Sequence, residues 1–169
     1  MATREREPSL LPTVLMVVFR VLFTGFALYT VYFIFSNSMQ VGAASSLRSS
    51  EVTSAINEVL RAAGLSPLTE TLVRKLAHFG EFLVLGFWFM LCLRVYTRHY
   101  IRHISWPLLL GLLIANADEL IQRYVAGRSS SVLDVWIDFG GVCAGVGAAL
   151  LILLACSSVW YLLGFGRNR

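Results

Sequence analysis

At 169 residues, with 57% of them hydrophobic and only 14% charged, the chain is too apolar for an ordinary soluble domain, whose apolar share is about 45 to 50%. Its net charge of +4 is modest and its arginines flank apolar runs instead of forming one block, so they read as topology signals and nucleic acid is not an expected partner. No P-loop, dinucleotide fingerprint or zinc spacing is present.

Residues 1–12 set Arg4 and Arg6 against Glu5 and Glu7 and are expected to form a cytoplasmic tail. The apolar run from Thr13 to Phe35 can cross a hydrocarbon core of about 30 Å, at about 1.5 Å of helix per residue. Arg20 lies near enough to its start to snorkel. A cleaved signal peptide ending at Val41, Gly42 and Ala43 is the rival reading, but the run exceeds the roughly 7 to 15 apolar residues of such segments.

The longest polar connection, 36–71, opens with SNSMQ and contains a serine-rich stretch. Within it, between Glu51 and Ala63, Val52, Ala55, Ile56, Val59 and Leu60 recur at helical spacing, which predicts an amphipathic helix lying on the membrane surface in the first outer loop. A solvated linker is the alternative. Gly64 ends the pattern, and Ser66 and Pro67 lead into a second span over about 72–93. In that span Arg74, His78 and Glu81 stand at i, i+4 and i+7 and share one helical face, with Lys75 beside them.

Arg94, Arg98, His99, Arg102 and His103 form a short basic hairpin without an acid, which the positive-inside tendency assigns to the cytoplasm. His99 and His103 have metal-ligand spacing, but the arginines around them argue against a cation. A third span is expected over about 104–121 and a fourth over about 132–155, where Gly141 and Gly145 form a GxxxG pair suited to packing the bundle. Residues 158–169, with Arg167 and Arg169, complete the chain as a tail. Residues 13–157 therefore read as one all-α, polytopic membrane domain of four spans plus a surface helix. Cys92, Cys143 and Cys156 lie inside apolar runs and are expected to be buried thiols.

The stretch from Ala115 to Asp138 interrupts this lipid-like pattern with acids, a glutamine and two arginines. Each charge at membrane depth costs roughly 2.5 to 3.5 kcal/mol on insertion scales, so a group of them needs partners, water or a ligand. With four spans, the second begins, the third ends and the fourth begins on one side of the bilayer. That is the outer side if the basic hairpin and both termini are cytoplasmic. Asp118 and Gln122 are i, i+4, as are Asp134 and Asp138, and Arg128 follows Gly127 in the short connection. A shared polar pocket is expected. His78, Glu81, Asp118, Glu119, Asp134 and Asp138 are its candidate reactive groups, and Arg74, Lys75, Gln122, Arg123 and Arg128 its candidate binding groups. Asp118, Glu119, Asp134 and Asp138 are candidate oxygen ligands for Mg²⁺ or Mn²⁺.

The combination of RKLAHFGEF, ANADELIQRYVAGR and DVWID before a glycine-rich helix resembles the VanZ-like family of small bacterial membrane proteins, and SNSMQ resembles that family's first polar loop. The resemblance covers about Ser36 to Gly147. It singles out Lys75, His78, Glu81, Asp118, Glu119, Gln122, Arg128, Asp134, Asp138 and Gly141, and implies a multi-pass protein of the bacterial cytoplasmic membrane. The founding member is associated with low-level teicoplanin resistance, and the resemblance carries no settled biochemical activity with it.

Three functions are consistent with these residues. The first is an outward pocket that binds or modulates an envelope lipid, a cell-wall precursor or a glycopeptide antibiotic. The second is a metal-dependent enzyme acting on a lipid-linked phosphate headgroup, although the PSGH and SRxxxxxH motifs of lipid phosphatases are missing. The third is purely structural, with His78 and Glu81, or Arg128 and Asp134, as ion pairs that orient helices.

Overall fold

A computed structural model describes residues 11–128 and 130–163. The expected tail at 1–12 falls mostly outside them, as do residues 164–169 of the one expected from 158, whereas 158–162 continue the last helix. Among the described residues 86% are helical and none forms a strand. In order it forms α1 (Leu11–Ser38), α2 (Gly42–Ala62), α3 (Glu70–Tyr96), a 3₁₀ turn (Tyr100–His103), α4 (Ser105–Tyr124) and α5 (Val132–Leu162). Among the described residues four stretches are long and apolar enough to cross a membrane: Thr13–Ser38, Glu70–Tyr96, Tyr100–Tyr124 and Val132–Val159.

Each of these helices overruns the expected span at a polar end. A helix satisfies its own backbone hydrogen bonds whatever its side chains are, so polarity ends a hydropathy run without ending the helix. This matters for the site, because it makes Asn37 and Ser38 helical at the end of α1, and Gln122 and Arg123 helical at the end of α4.

The connection between the first two spans differs from expectation in extent. It is helical from Gly42, well before Glu51, because the alanine- and serine-rich start has little apolar period to detect. Val52 and Val59 stay exposed, and the buried positions of α2 are Gly42, Thr53 and Asn57. Gly64, at φ 73°, ends the helix in the left-handed conformation. Asn57 then holds the following loop from both sides: its amide donates to the Leu68 carbonyl at 3.0 Å, and its carbonyl accepts the Leu68 N–H at 2.7 Å. Thr69 caps α3 by accepting the Leu72 N–H.

α3 is the central helix and touches every other one. Its closest neighbour is α5, where Gly141 and Gly145 lie directly on the backbone of Phe79 and Leu83; a β-carbon on either glycine would collide with those carbonyls. The GxxxG pair thus packs the bundle from within the chain. Arg20 has specific partners at the end of α3. Its Nε donates to the Val95 carbonyl at 3.0 Å and its guanidinium covers the Tyr96 ring, tying the start of α1 to the end of α3.

The thiols are not uniformly buried as expected. Cys143 and Cys156 face outward from α5, and Cys92 is only half-buried, because in a four-helix bundle most of each apolar surface meets lipid. The core is a narrow column of Ile34, Phe82, Leu85, Met90, Ala115, Val142, Val146 and Ala149.

Candidate functional site

One helical turn beyond this column, every spanning helix changes character. Ile34 gives way to Ser38, Phe82 to His78, Ala115 to Asp118 and Glu119, and Val142 to Asp138. The new residues stay inside: Ser38 and Asp118 are 0% exposed, Asp138 2%, Glu119 6% and Gln122 7%. Four separate helices therefore build one buried polar layer on a dry floor.

A cavity of about 70 Å³ opens in this layer. Arg74, Lys75 and His78 of α3 form one wall, Glu119 and Gln122 of α4 another, Asp134 and Asp138 of α5 a third, and Gly127 and Arg128 the rim. A second cavity, of about 130 Å³, lies between the end of α1, α2 and α3 and shares Arg74, His78 and Arg128 with the first. Glu81 lines this second cavity, not the first, and accepts a hydrogen bond at 3.0 Å from the Asn37 amide.

Hydrogen bonds divide the candidate carboxylates into different duties. Asp134 is bound by Lys75, Nζ to Oδ1 at 2.6 Å, which joins α3 to α5 near their first turns. Glu119 accepts the backbone N–H of Ser131 at 2.9 Å and so secures the entry to α5. Asp118 Oδ2 accepts the Gln122 amide at 2.7 Å, and the same amide nitrogen reaches Ser38 Oγ at 3.2 Å. Asp118 Oδ1, Glu81 Oε2 and His78 Nδ1 are buried without a hydrogen-bond partner among the described residues. Ligand atoms of His78, Asp118 and Asp138 all lie within 4.8 Å of one another. Of the four acids expected to be oxygen ligands, Asp118 and Asp138 are thus gathered with His78, while Glu119 and Asp134 are committed to the helix ends.

The ion pairs anticipated for a structural role are not formed. Among the described residues Asp134 pairs with Lys75 and not Arg128, and His78 and Glu81 make no bond to each other. Their i, i+3 spacing puts them on neighbouring parts of the helix surface, yet Glu81 turns to Asn37. Arg128 reaches across the loop instead, donating to the Asn37 carbonyl and to Ser45 Oγ, each at 3.0 Å. Its charge meets only neutral acceptors there. Burial draws this guanidinium below its ordinary value, against the pull of the nearby Asp118 carboxylate.

Arg123 does not join the cavity. It is exposed and borders a separate depression with Asn116, Leu120 and Ser131, because one residue past Gln122 the helix has turned by about 100°. Conversely, Asn37, Ser38, Ser45 and Arg48 belong to the polar layer although they are not among the expected site residues. Arg48 donates to Asn37 Oδ1 at 3.4 Å. The signal of Asn37 and Ser38 in the sequence is the SNSMQ stretch and that of Ser45 and Arg48 the serine-rich stretch after it, and the polarity of both reads as loop.

The loop after α4 seals this arrangement. Gly127, at φ 77°, makes the left-handed turn that close approach requires, and the Gly42 N–H donates to the Ala126 carbonyl at 3.0 Å. A β-carbon on Gly42 would strike the Gly127 carbonyl, so the first residue of α2 must be glycine for this contact to close.

No curated protein and no solved structure matches the chain significantly. The VanZ/LLP1 family model matches residues 15–154, a range that takes in the spanning helices and all of the polar layer, and the chain belongs to that family of membrane proteins.

Proposed function

We propose that the polar layer recognises the phosphate headgroup of an envelope lipid or a lipid-linked precursor, at the outer face of a bacterial cytoplasmic membrane with both termini inside. The observation that carries this reading is Arg128, a half-buried cation on the wall of both cavities, which among the described residues forms no salt bridge with a carboxylate. Arg74 stands on the same two walls. A guanidinium in such a place favours a bidentate anion.

Size and surroundings favour a lipid over the larger candidates. The inner cavity of about 70 Å³ has room for several waters or one phosphate-sized group, whereas a glycopeptide would meet only the rim. An apolar groove of about 500 Å³ between α1 and α3, walled by Phe26, Phe33, Val84 and Trp88, reaches the polar layer at Glu81. An acyl or prenyl chain lying there brings its headgroup to the second cavity, which Glu81 also lines.

The test is a titration of the purified full chain, in a neutral detergent, with short-chain phosphatidate and the matching diacylglycerol. Phosphatidate is expected to bind at least tenfold more tightly, and Arg128→Gln to remove most of that preference. Equal affinity for the two lipids overturns the reading. The His78, Asp118 and Asp138 cluster favours a second reading, hydrolysis of the same headgroup, for which release of inorganic phosphate from the bound lipid is the distinguishing signal.

A further inference from the structure

We infer that His78, Asp118 and Asp138 form a binding site for one divalent transition-metal ion. The inference stands on these three side chains and does not need the headgroup reading. They come from α3, α4 and α5, and one ligand atom of each lies within 4.8 Å of the others. Ligands held about 2.1 Å from a common ion are roughly 3 to 4.2 Å apart, so small side-chain rotations close the set.

The independent sign of a ligand is Asp118. Its side chain is 0% exposed, Oδ2 is taken by Gln122, and among the described residues Oδ1 accepts no hydrogen bond. A buried oxygen without a donor is costly, and so is a pair of carboxylates sharing one space. Of the nearby cations Lys75 is bonded to Asp134 and Arg128 to Asn37 and Ser45, and Arg74, exposed on the cavity wall, makes no salt bridge to either acid among the described residues. Among the same residues His78 Nδ1 is also buried without a hydrogen-bond partner. One cation with coordination to spare satisfies these needs together.

Two oxygens and one imidazole nitrogen describe the ion further. The imidazole suits Zn²⁺ and the two carboxylates also admit Mn²⁺, whereas Ca²⁺ sites are built from oxygens throughout and Mg²⁺ favours carboxylates and water. The adjoining cavity leaves open positions for water or for an anion such as phosphate.

The experiment uses the full chain in detergent, stripped with a chelator and titrated separately with Mn²⁺, followed by its paramagnetic resonance signal, and with Zn²⁺, followed by calorimetry. One ion per chain is expected, accompanied by a rise in melting temperature. Asp118→Asn and His78→Gln are each expected to weaken binding at least tenfold, and Glu58→Gln, on the exposed face of α2, to change it less than threefold. Circular dichroism and a single elution peak establish that each variant is folded. Folded wild-type protein that takes up neither ion at millimolar concentration overturns the inference. So does undiminished binding by folded Asp118→Asn or His78→Gln. Failure of lipid binding with intact uptake of the ion counts against the headgroup reading alone.

Discussion

Gly145 of α5 lies on the carbonyl of Leu83 in α3, with no space between them for a side chain. Because the two helices pack backbone to backbone here, substitution acts on the helix separation itself. Gly145→Ala is expected to destabilise the protein by about 1 to 3 kcal/mol, the usual range for overpacking. At Gly147, two residues on, an added β-carbon would meet nothing within 4 Å, so Gly147→Ala is expected to be neutral or slightly stabilising. Denaturant unfolding in detergent, followed by circular dichroism, compares the two.

Lys75 and Asp134 connect the same helices through charge, and both are about 30% exposed. A pair this accessible contributes modestly, about 1 kcal/mol after screening. Lys75→Asp brings two acids together and is expected to lower the melting temperature, while the exchange Lys75→Asp with Asp134→Lys recovers most of the loss. If the exchanged protein is folded but no longer binds phosphatidate, Lys75 serves the ligand as well as the fold.

Asn57 is the one side chain of α2 that answers both the N–H and the C=O of Leu68. Asn57→Ala leaves these groups to water or unpaired, at a cost of about 1 to 3 kcal/mol if they stay buried. Since α2 makes few other contacts, the effect is expected to be local. Hydrogen exchange over residues 60–70 should accelerate while exchange in the centre of α3 is unchanged.

These relationships also show what could be read without coordinates. Four spans and the convergence of His78, Asp118 and Asp138 followed from hydropathy and the alternation of helix direction, both properties of the linear chain. Which acid meets which base did not. Lys75 and Arg128 compete for Asp134, and the outcome depends on how far each long side chain reaches after the helices are packed. Rotation about α4 separates Gln122 from Arg123 in a way that a list of polar residues conceals. Asn37 and Ser38 were hidden for a different reason: a polar end on an apolar run looks like loop, although the helix continues through it.

The proposed orientation has its own test, and charge counting alone does not decide it. Arg48, Arg61, Arg74, Lys75, Arg123 and Arg128 lie on the chamber side of the bundle and outnumber the basic residues of the hairpin. Several of them are engaged in the site, however: Lys75 with Asp134, Arg48 with Asn37, and Arg128 with Asn37 and Ser45. The positive-inside tendency is read from short loops, and the short hairpin holds Arg94, Arg98 and Arg102 without an acid. In a chain with Cys92, Cys143 and Cys156 replaced by serine, Ser46→Cys is therefore expected to react with a membrane-impermeant maleimide in intact cells. Arg98→Cys should react only after permeabilisation. The opposite pattern puts the chamber at the cytoplasmic leaflet, where the phosphates within its reach belong to a different set of lipids.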